Sequence, residues 1–149
     1  MNRYKTSAFG IIIVALVFGF LLFRNDFFDS KTTSFNKEVT EKIQTKEVTD
    51  LMLSIPTNER ILTINKKENI GHIFQILSSI NLKKVNKLTS NYSEMYSILI
   101  TVQGEMVYYV NLYDNKDLSI IDLKNGKIQR YKVENSVDLN EIRKYWVNQ

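Results

Sequence analysis

The residues that could act in acid–base chemistry are few and widely separated. His72 is the only histidine in the chain, and Glu68 lies four residues before it. That spacing places both side chains on one face of a helix. A general base also needs a nucleophile or a third group within hydrogen-bond reach, and the sequence identifies none. We therefore interpret His72 as a surface or boundary residue without a catalytic role.

Three aspartates, Asp114, Asp117 and Asp122, lie around one predicted turn. A calcium loop supplies several oxygen ligands at close spacing and usually contains a glycine, whereas this segment has Lys116 in its middle. The chain has no cysteine, which excludes disulfides, thiolate zinc sites and a cysteine nucleophile. Neither a phosphate-binding glycine loop nor a G-x-S-x-G motif occurs. We therefore predict no catalytic residue, no cofactor and no metal site, and a protein that is not an enzyme.

Aromatic and basic residues in the last third of the chain are typical of a binding surface. Tyrosine is concentrated after residue 90, and exposed tyrosines beside Lys or Arg are common in protein interfaces. The alternative is that tyrosine simply suits β-strands. Adjacent strand residues point to opposite faces, so Tyr108 and Tyr109 cannot both enter the core. The candidate partner-binding residues are Tyr108, Tyr109, Lys127, Arg130, Tyr131 and Lys132.

The start of the chain has a different composition. Thr6 to Phe23 is an uncharged run between Lys5 and Arg24, and as a helix it rises about 27 Å, close to the thickness of a bilayer core. The basic residues before the run predict a cytoplasmic N-terminus. No small-residue cleavage site follows, which favours an uncleaved signal anchor over a cleaved signal peptide. The sequence therefore predicts one span of the cell membrane near residues 6–23, with the later residues extracytoplasmic.

The predicted organisation has three parts. Residues 1–29 form the cytoplasmic N-terminus and signal anchor, residues 30–47 form a polar stalk, and residues 48–149 form an extracytoplasmic α+β domain. The stalk has only three large apolar residues, Phe35, Val39 and Ile43. They are spaced four apart, so a weak amphipathic helix is the alternative for this segment.

The outer domain shows clear strand and helix patterns. Alternating apolar residues predict strands before and after the Pro56 turn, and apolar residues at helical spacing predict a helix between Asn65 and Ser79. Residues 81–93 are polar and are predicted to form a surface loop. Four further strands follow, the last two joined by Asn125-Gly126, a typical hairpin turn, and a short helix ends the domain. The predicted fold is an α+β antiparallel-sheet domain of order β-β-α-β-β-β-β-α.

This arrangement resembles a group of bacterial proteins. A strand, the turn PTNE, the strand ILTI, one helix, a lysine-rich loop and a tyrosine-rich hairpin follow one another over residues 48–147. In that order they are similar to small membrane-anchored or secreted ectodomains of unknown function from low-GC Gram-positive bacteria. The resemblance implies a location in a bacterial cell envelope and no particular activity.

The net charge excludes one further class of function. The net charge of +4 is too small for the concentrated basic surface of a nucleic-acid-binding protein. We predict a non-enzymatic single-pass envelope protein whose outer domain binds another protein or peptide. The alternative is an accessory or sensory subunit of a transporter, kinase or secretion complex that pairs through its membrane helix. An envelope hydrolase would need a catalytic cleft that the sequence does not identify, and the oligomeric state is left open.

Overall fold

The structure is a computed structural model that describes residues 31–43, 47–56 and 60–147. Thr32 to Gln149 form one compact unit. The strands are β1 (Thr32–Ser34), β2 (Val48–Ile55), β3 (Arg60–Ile64), β4 (Asn81–Lys84), β5 (Met95–Val102), β6 (Glu105–Tyr113), β7 (Asp117–Asp122) and β8 (Lys127–Val133). The helical segments are a π turn (Asn36–Thr40), α1 (Glu41–Ile43), α2 (Lys67–Ser78) and α3 (Leu139–Val147).

All eight strands belong to one antiparallel sheet with the order β1-β4-β8-β7-β6-β5-β2-β3. Strands β5 to β8 follow one another through short turns. Each of these turns contains a positive φ angle, at Gln103 and Gly104 (52° and 84°), at Lys116 (66°) and at Gly126 (68°). Glycine adopts such angles without steric cost, which favours tight turns at Gly104 and Gly126. The short turns fix the register of the four strands.

One face of the sheet is apolar and buried. Leu53, Ile98, Val110 and Ile120 lie side by side on four neighbouring strands, and each is almost completely buried. Helix α2 contributes residues with the spacing of an amphipathic helix to the same hydrophobic cluster. The π turn, α1 and α3 also contribute buried residues to it. The helical contributors are Phe35, Val39, Ile43, Ile70, Ile73, Phe74, Leu77 and Ile142.

The opposite face of the sheet carries a polar row across its centre. The Ser97 hydroxyl donates to Asn111 Oδ1 over 2.7 Å, and Asn111 Nδ2 donates to Ser119 Oγ over 3.3 Å. All three side chains are buried. Because buried polar groups are costly without partners, these bonds favour a single register for β5, β6 and β7.

The predicted order of elements is wrong. Residues 81–93 were expected to form a loop, but Asn81–Lys84 is β4, which pairs with both β1 and β8. A four-residue strand with Leu82 as its only buried side chain has no visible alternation. Its assignment as a strand depends on neighbours that are distant in sequence.

The segment expected to be a stalk is part of the packed domain. Thr32–Ser34 is an edge strand, and Phe35 and Val39 are completely buried. The four-residue spacing of the apolar side chains therefore marks a helical surface, as the alternative interpretation held. A thin apolar stripe is enough here because the sheet supplies most of the core that it covers.

No helix in the part of the chain that the structure describes has both the length and the apolarity to cross a membrane. The predicted membrane span at residues 6–23, and the signal anchor at residues 1–29 that contains it, lie outside the described residues.

Replacing Phe35 by alanine tests whether this segment belongs to the core. We expect a loss of about 3–5 kcal/mol in the free energy of unfolding, measured by urea denaturation, because a fully buried ring would leave a cavity. Ile61→Ala is the control, since Ile61 is 67% exposed and its loss should change stability by about 0.5 kcal/mol or less. Equal effects of the two substitutions would contradict the buried position of Phe35.

Candidate functional site

The six candidate partner-binding residues do not share one surface. Tyr108 and Tyr131 lie on the buried side of the sheet and are almost completely buried. Tyr109, Arg130 and Lys132 lie on the opposite side, where neighbouring strand residues alternate. Lys127 is exposed at the start of β8. The structure therefore brings only part of the predicted set onto the open face.

The buried Tyr131 has a structural partner. Gln129 Nε2 donates to the Tyr131 hydroxyl over 2.9 Å. Burial raises the pKa of Tyr131, and the negative charge of Glu38 raises it further. Tyr131 is therefore held neutral inside the core, where it packs and forms a hydrogen bond and is not available to an external partner.

His72 has a partner that the sequence did not indicate. Its Nδ1 lies 2.8 Å from the hydroxyl of Tyr145 on α3. Burial raises the pKa of Tyr145, and the charges of Glu141 and Glu68 raise it further. The phenol therefore stays protonated at neutral pH and is a poor nucleophile, so the contact links α2 to α3.

The three aspartates have different environments. Asp122 accepts hydrogen bonds from the turn residues Lys124 and Asn125. Asp114 accepts the hydroxyl of Ser93, and Asp117 is buried in an ion pair. Within the described ranges, no group of three or more His, Asp or Glu side chains is placed to hold a metal ion.

Asp117 is the centre of a cluster that also contains Thr89 and Lys132, here called the Thr89 cluster. Lys132 Nζ donates to Asp117 Oδ1 over 2.7 Å and to Thr89 Oγ1 over 3.2 Å. The backbone N–H of Thr89 donates to Asp117 Oδ2 over 2.7 Å. Asp117 is 2% exposed and Lys132 is 41% exposed at the side chain, while Thr89 is exposed. A hydroxyl therefore lies at the surface against an ammonium and a carboxylate.

The β6–β7 turn holds these groups together. Asn115 Nδ2 donates to the backbone oxygen of Asn91 over 3.0 Å, which ties the loop of residues 86–94 to the turn. Asn115 Oδ1 accepts the N–H of Asp117 over 3.0 Å, and the Asn115 carbonyl accepts Lys132 Nζ over 3.2 Å. Lys116 has a φ of 66°, a left-handed conformation that closes the turn. Asn115 thus contacts both the loop that carries Thr89 and the ion pair of Asp117 and Lys132.

The charge state of Asp117 follows from these contacts. Burial by itself raises its pKa, but the hydrogen bonds from Lys132 and from the Thr89 backbone and hydroxyl outweigh that effect. The pKa of Asp117 therefore lies below its ordinary value, and the carboxylate stays ionised at neutral pH. Lys132 uses its three N–H bonds on three acceptors, which fixes its ammonium beside the Thr89 hydroxyl.

Other hydroxyls on the described strands and loops have a less reactive setting. The Ser93 hydroxyl donates to Asp114, which forms no ion pair with a described residue. Ser97 and Ser119 are buried and bond to the neutral amide of Asn111. The Thr33 hydroxyl donates to Glu38, whose other oxygen pairs with Lys42. At Thr89 the hydroxyl itself accepts from the ammonium of Lys132 and lies against Asp117.

A cavity of about 170 Å³ borders the Thr89 cluster through Asp117. Its apolar lining comes from Leu112, Val133 and Val137, and Asn135 supplies a polar group. The size suits a small group of a ligand, since ligand pockets for larger molecules exceed about 300 Å³.

Comparison with known proteins gives one match. The family described as linear amide C–N hydrolases, choloylglycine hydrolase family, matches residues 57–144, which is more than half of the chain. No curated protein and no solved structure matches. The matched segment contains Thr89, Asp117 and Lys132.

The match corrects several predictions made from the sequence. A non-enzymatic envelope protein is wrong, because the matched family consists of hydrolases. The prediction that the chain is not an enzyme is wrong for the same reason. The predicted membrane partner and single-pass location are corrected too, since neither this family nor the described helices support them. The resemblance to bacterial ectodomains stays a prediction.

Asp117 and Lys132 were both singled out from the sequence, but their contact was not predicted, and Thr89 was not singled out at all. Asp117 was assigned to a turn, and Lys132 to a binding face. The only signal was the predicted β7–β8 hairpin, whose register pairs the two positions directly. Thr89 gave no signal, because it lies in a polar loop without alternation.

Replacing Asp117 by asparagine tests the charge assignment. A lowered pKa contributes stability above the unfolded value, and that stability is lost as pH falls through the folded pKa. We expect Asp117→Asn to lose about 2 kcal/mol near pH 7. The difference from the native protein should shrink below about pH 4. Urea denaturation across this pH range measures both.

The control for this measurement is Glu134→Gln, because Glu134 is exposed. Its stability should run parallel to that of the native protein at every pH. A constant difference between Asp117→Asn and the native protein down to pH 2 would contradict an ionised Asp117.

Proposed function

Because the chain belongs to the choloylglycine hydrolase family of linear amide C–N hydrolases, we propose that it hydrolyses a linear amide at the Thr89 cluster. The observation that supports this proposal is the position of the Thr89 hydroxyl against Lys132 and Asp117. Hydrolysis of an amide needs a nucleophile, an acceptor for its proton and a group that stabilises negative charge. The three residues have the chemistry for these three tasks.

The first step is attack by Thr89. Its Oγ1 forms a bond to the amide carbonyl carbon, the C=O π electrons move onto the carbonyl oxygen, and the hydroxyl proton passes to the carboxylate of Asp117. Asp117 can accept the proton at neutral pH because its pKa is lowered and it is ionised there. The ammonium of Lys132 lies 3.2 Å from Oγ1, and from there it can stabilise the negative charge that develops on the carbonyl oxygen.

The second step breaks the C–N bond. The carbonyl double bond re-forms as the leaving nitrogen takes the proton held by Asp117 and departs as a free amine, and the acyl group remains as an ester on Thr89. Water then attacks the ester carbon with Asp117 again accepting a proton, and the carboxylic acid is released with the Thr89 hydroxyl restored. Atoms and charges balance without a cofactor.

The surroundings of Thr89 permit this reaction. Thr89 is exposed, so the carbonyl carbon of a substrate can approach it from solvent. Asp117 is buried beneath it and held by Lys132 and the Thr89 N–H, so the carboxylate needs no rearrangement to receive the proton. A small acyl or amine group can lie in the adjacent cavity.

The test is amine release from a panel of N-acyl amides by the full-length chain. We expect Thr89→Ala to lower kcat/KM by about 10²- to 10⁴-fold, since it removes the nucleophile. Thr89→Ser keeps the hydroxyl and should retain activity. Lys127→Met is the control, because Lys127 is an exposed lysine on the same strand as Lys132 but outside the cluster.

Mass spectrometry of the stopped reaction gives a second readout. A transient gain of the acyl mass on the peptide containing Thr89 is expected for the native protein and not for Thr89→Ala. Full activity of Thr89→Ala would overturn the assignment of the nucleophile. Absence of amine release from every amide would overturn the proposed activity itself.

A further inference from the structure

A second cavity, of about 190 Å³, lies at the other end of the sheet from the Thr89 cluster. Asp122 lines it, whereas Asp117 belongs to the cluster, and these residues are the two ends of β7. Five steps along the extended strand separate them by about 17 Å. The second cavity is therefore a separate site, and the proposed hydrolysis does not use it.

The floor of this cavity is apolar. Val107 is buried, Val102 is partly buried, and Ile43 closes the cavity from the helical side. Together they form a surface for a short branched or linear hydrocarbon group. A volume of 190 Å³ equals that of about six water molecules, which limits the ligand to roughly six to ten non-hydrogen atoms.

Charged groups of both signs surround the floor. Lys124 lies at one side, and its ion pair with Glu105 is 4.0 Å long and exposed, so its ammonium is only weakly engaged. The N–H of Lys124 donates to Asp122 Oδ1 over 3.0 Å, which fixes the Lys124 backbone at the cavity. Across the cavity, no hydrogen bond or ion pair of the Glu47 carboxylate occurs within the described ranges.

Tyr108 adds a hydrogen-bond donor. Burial raises its pKa, and the charges of Asp122 and Glu38 raise it further, so the hydroxyl remains protonated. The cavity thus offers Lys124 and a hydroxyl donor for an anion, the Glu47 carboxylate for a cation, and an apolar floor. Lys42 and Asp122 also line it, but Lys42 is paired with Glu38 over 3.3 Å and Asp122 accepts hydrogen bonds from Lys124 and Asn125, so both are already engaged. A ligand that satisfies all three must carry both charges and a small apolar group.

We propose that this cavity binds a free amino acid with a medium-sized apolar side chain. The carboxylate of the amino acid contacts Lys124 and Tyr108, its ammonium contacts Glu47, and its side chain lies on Val102 and Val107. The geometry selects against molecules with a single charge, because one charged group of the cavity would then lose its solvent without gaining a partner.

The test is titration of the full-length chain with L-leucine, followed by the NMR signals of Val102 and Val107. Two leucine analogues that each lack one charge, 4-methylpentanoate and 3-methylbutylamine, are titrated in parallel. We expect saturable shifts with leucine, and affinities at least about tenfold weaker for both analogues. Glu47→Gln and Lys124→Met should each weaken leucine binding by a similar factor.

The matched controls are Glu134→Gln and Lys67→Met, exposed residues that do not line the cavity. They should leave leucine binding unchanged. Equal binding of either analogue and leucine, or no saturable shift with leucine, would overturn the proposal. Amine release by the native chain is measured on the same samples, and it reports on the Thr89 cluster alone, so failure of one proposal is distinguishable from failure of the other.

Discussion

Burial of one face of the antiparallel sheet is the constraint on which the rest of the structure depends. Leu53, Ile98, Val110 and Ile120 occupy one row across four strands, and each gains about 1.5–3 kcal/mol by leaving water. A slip of one residue in any pairing would turn these side chains to the other face. The buried row therefore sets the register, and the register sets which residues meet on the open face.

The Thr89 cluster is a consequence of that register. With Leu118 and Ile120 facing the core, Asp117 must face the other way, directly across from Lys132 on β8. The β6–β7 turn then presents Asn115 to the loop of residues 86–94. The loop places Thr89 over the ion pair, so core packing on one side positions the charged groups on the other.

The nucleophile of this chain has to suit amide hydrolysis and has to be a residue type that the chain contains. The family hydrolyses linear amides, and this chain has no cysteine. A hydroxyl is the remaining side-chain nucleophile of ordinary strength, and it needs help to lose its proton. At Thr89 the carboxylate of Asp117 and the ammonium of Lys132, which lie 28 and 43 residues away in the chain, provide that help. No short motif contains residues so far apart in the chain, and for that reason the prediction from sequence that the protein is not an enzyme was wrong.

Local patterns in the sequence determined the four consecutive strands β5 to β8, the helix α2 and the turn at Asn125 and Gly126, because alternation, helical spacing and turn residues act between near neighbours. Tertiary structure alone decided that Asn81–Lys84 is a strand, since its hydrogen bonds go to residues 32–34 and 131–133. It also decided that Phe35 enters the core. The contact between Thr89, Asp117 and Lys132 was also decided by the tertiary structure. A single charge or hydroxyl has no periodicity in the sequence, and these groups meet only because the buried face has aligned the strands.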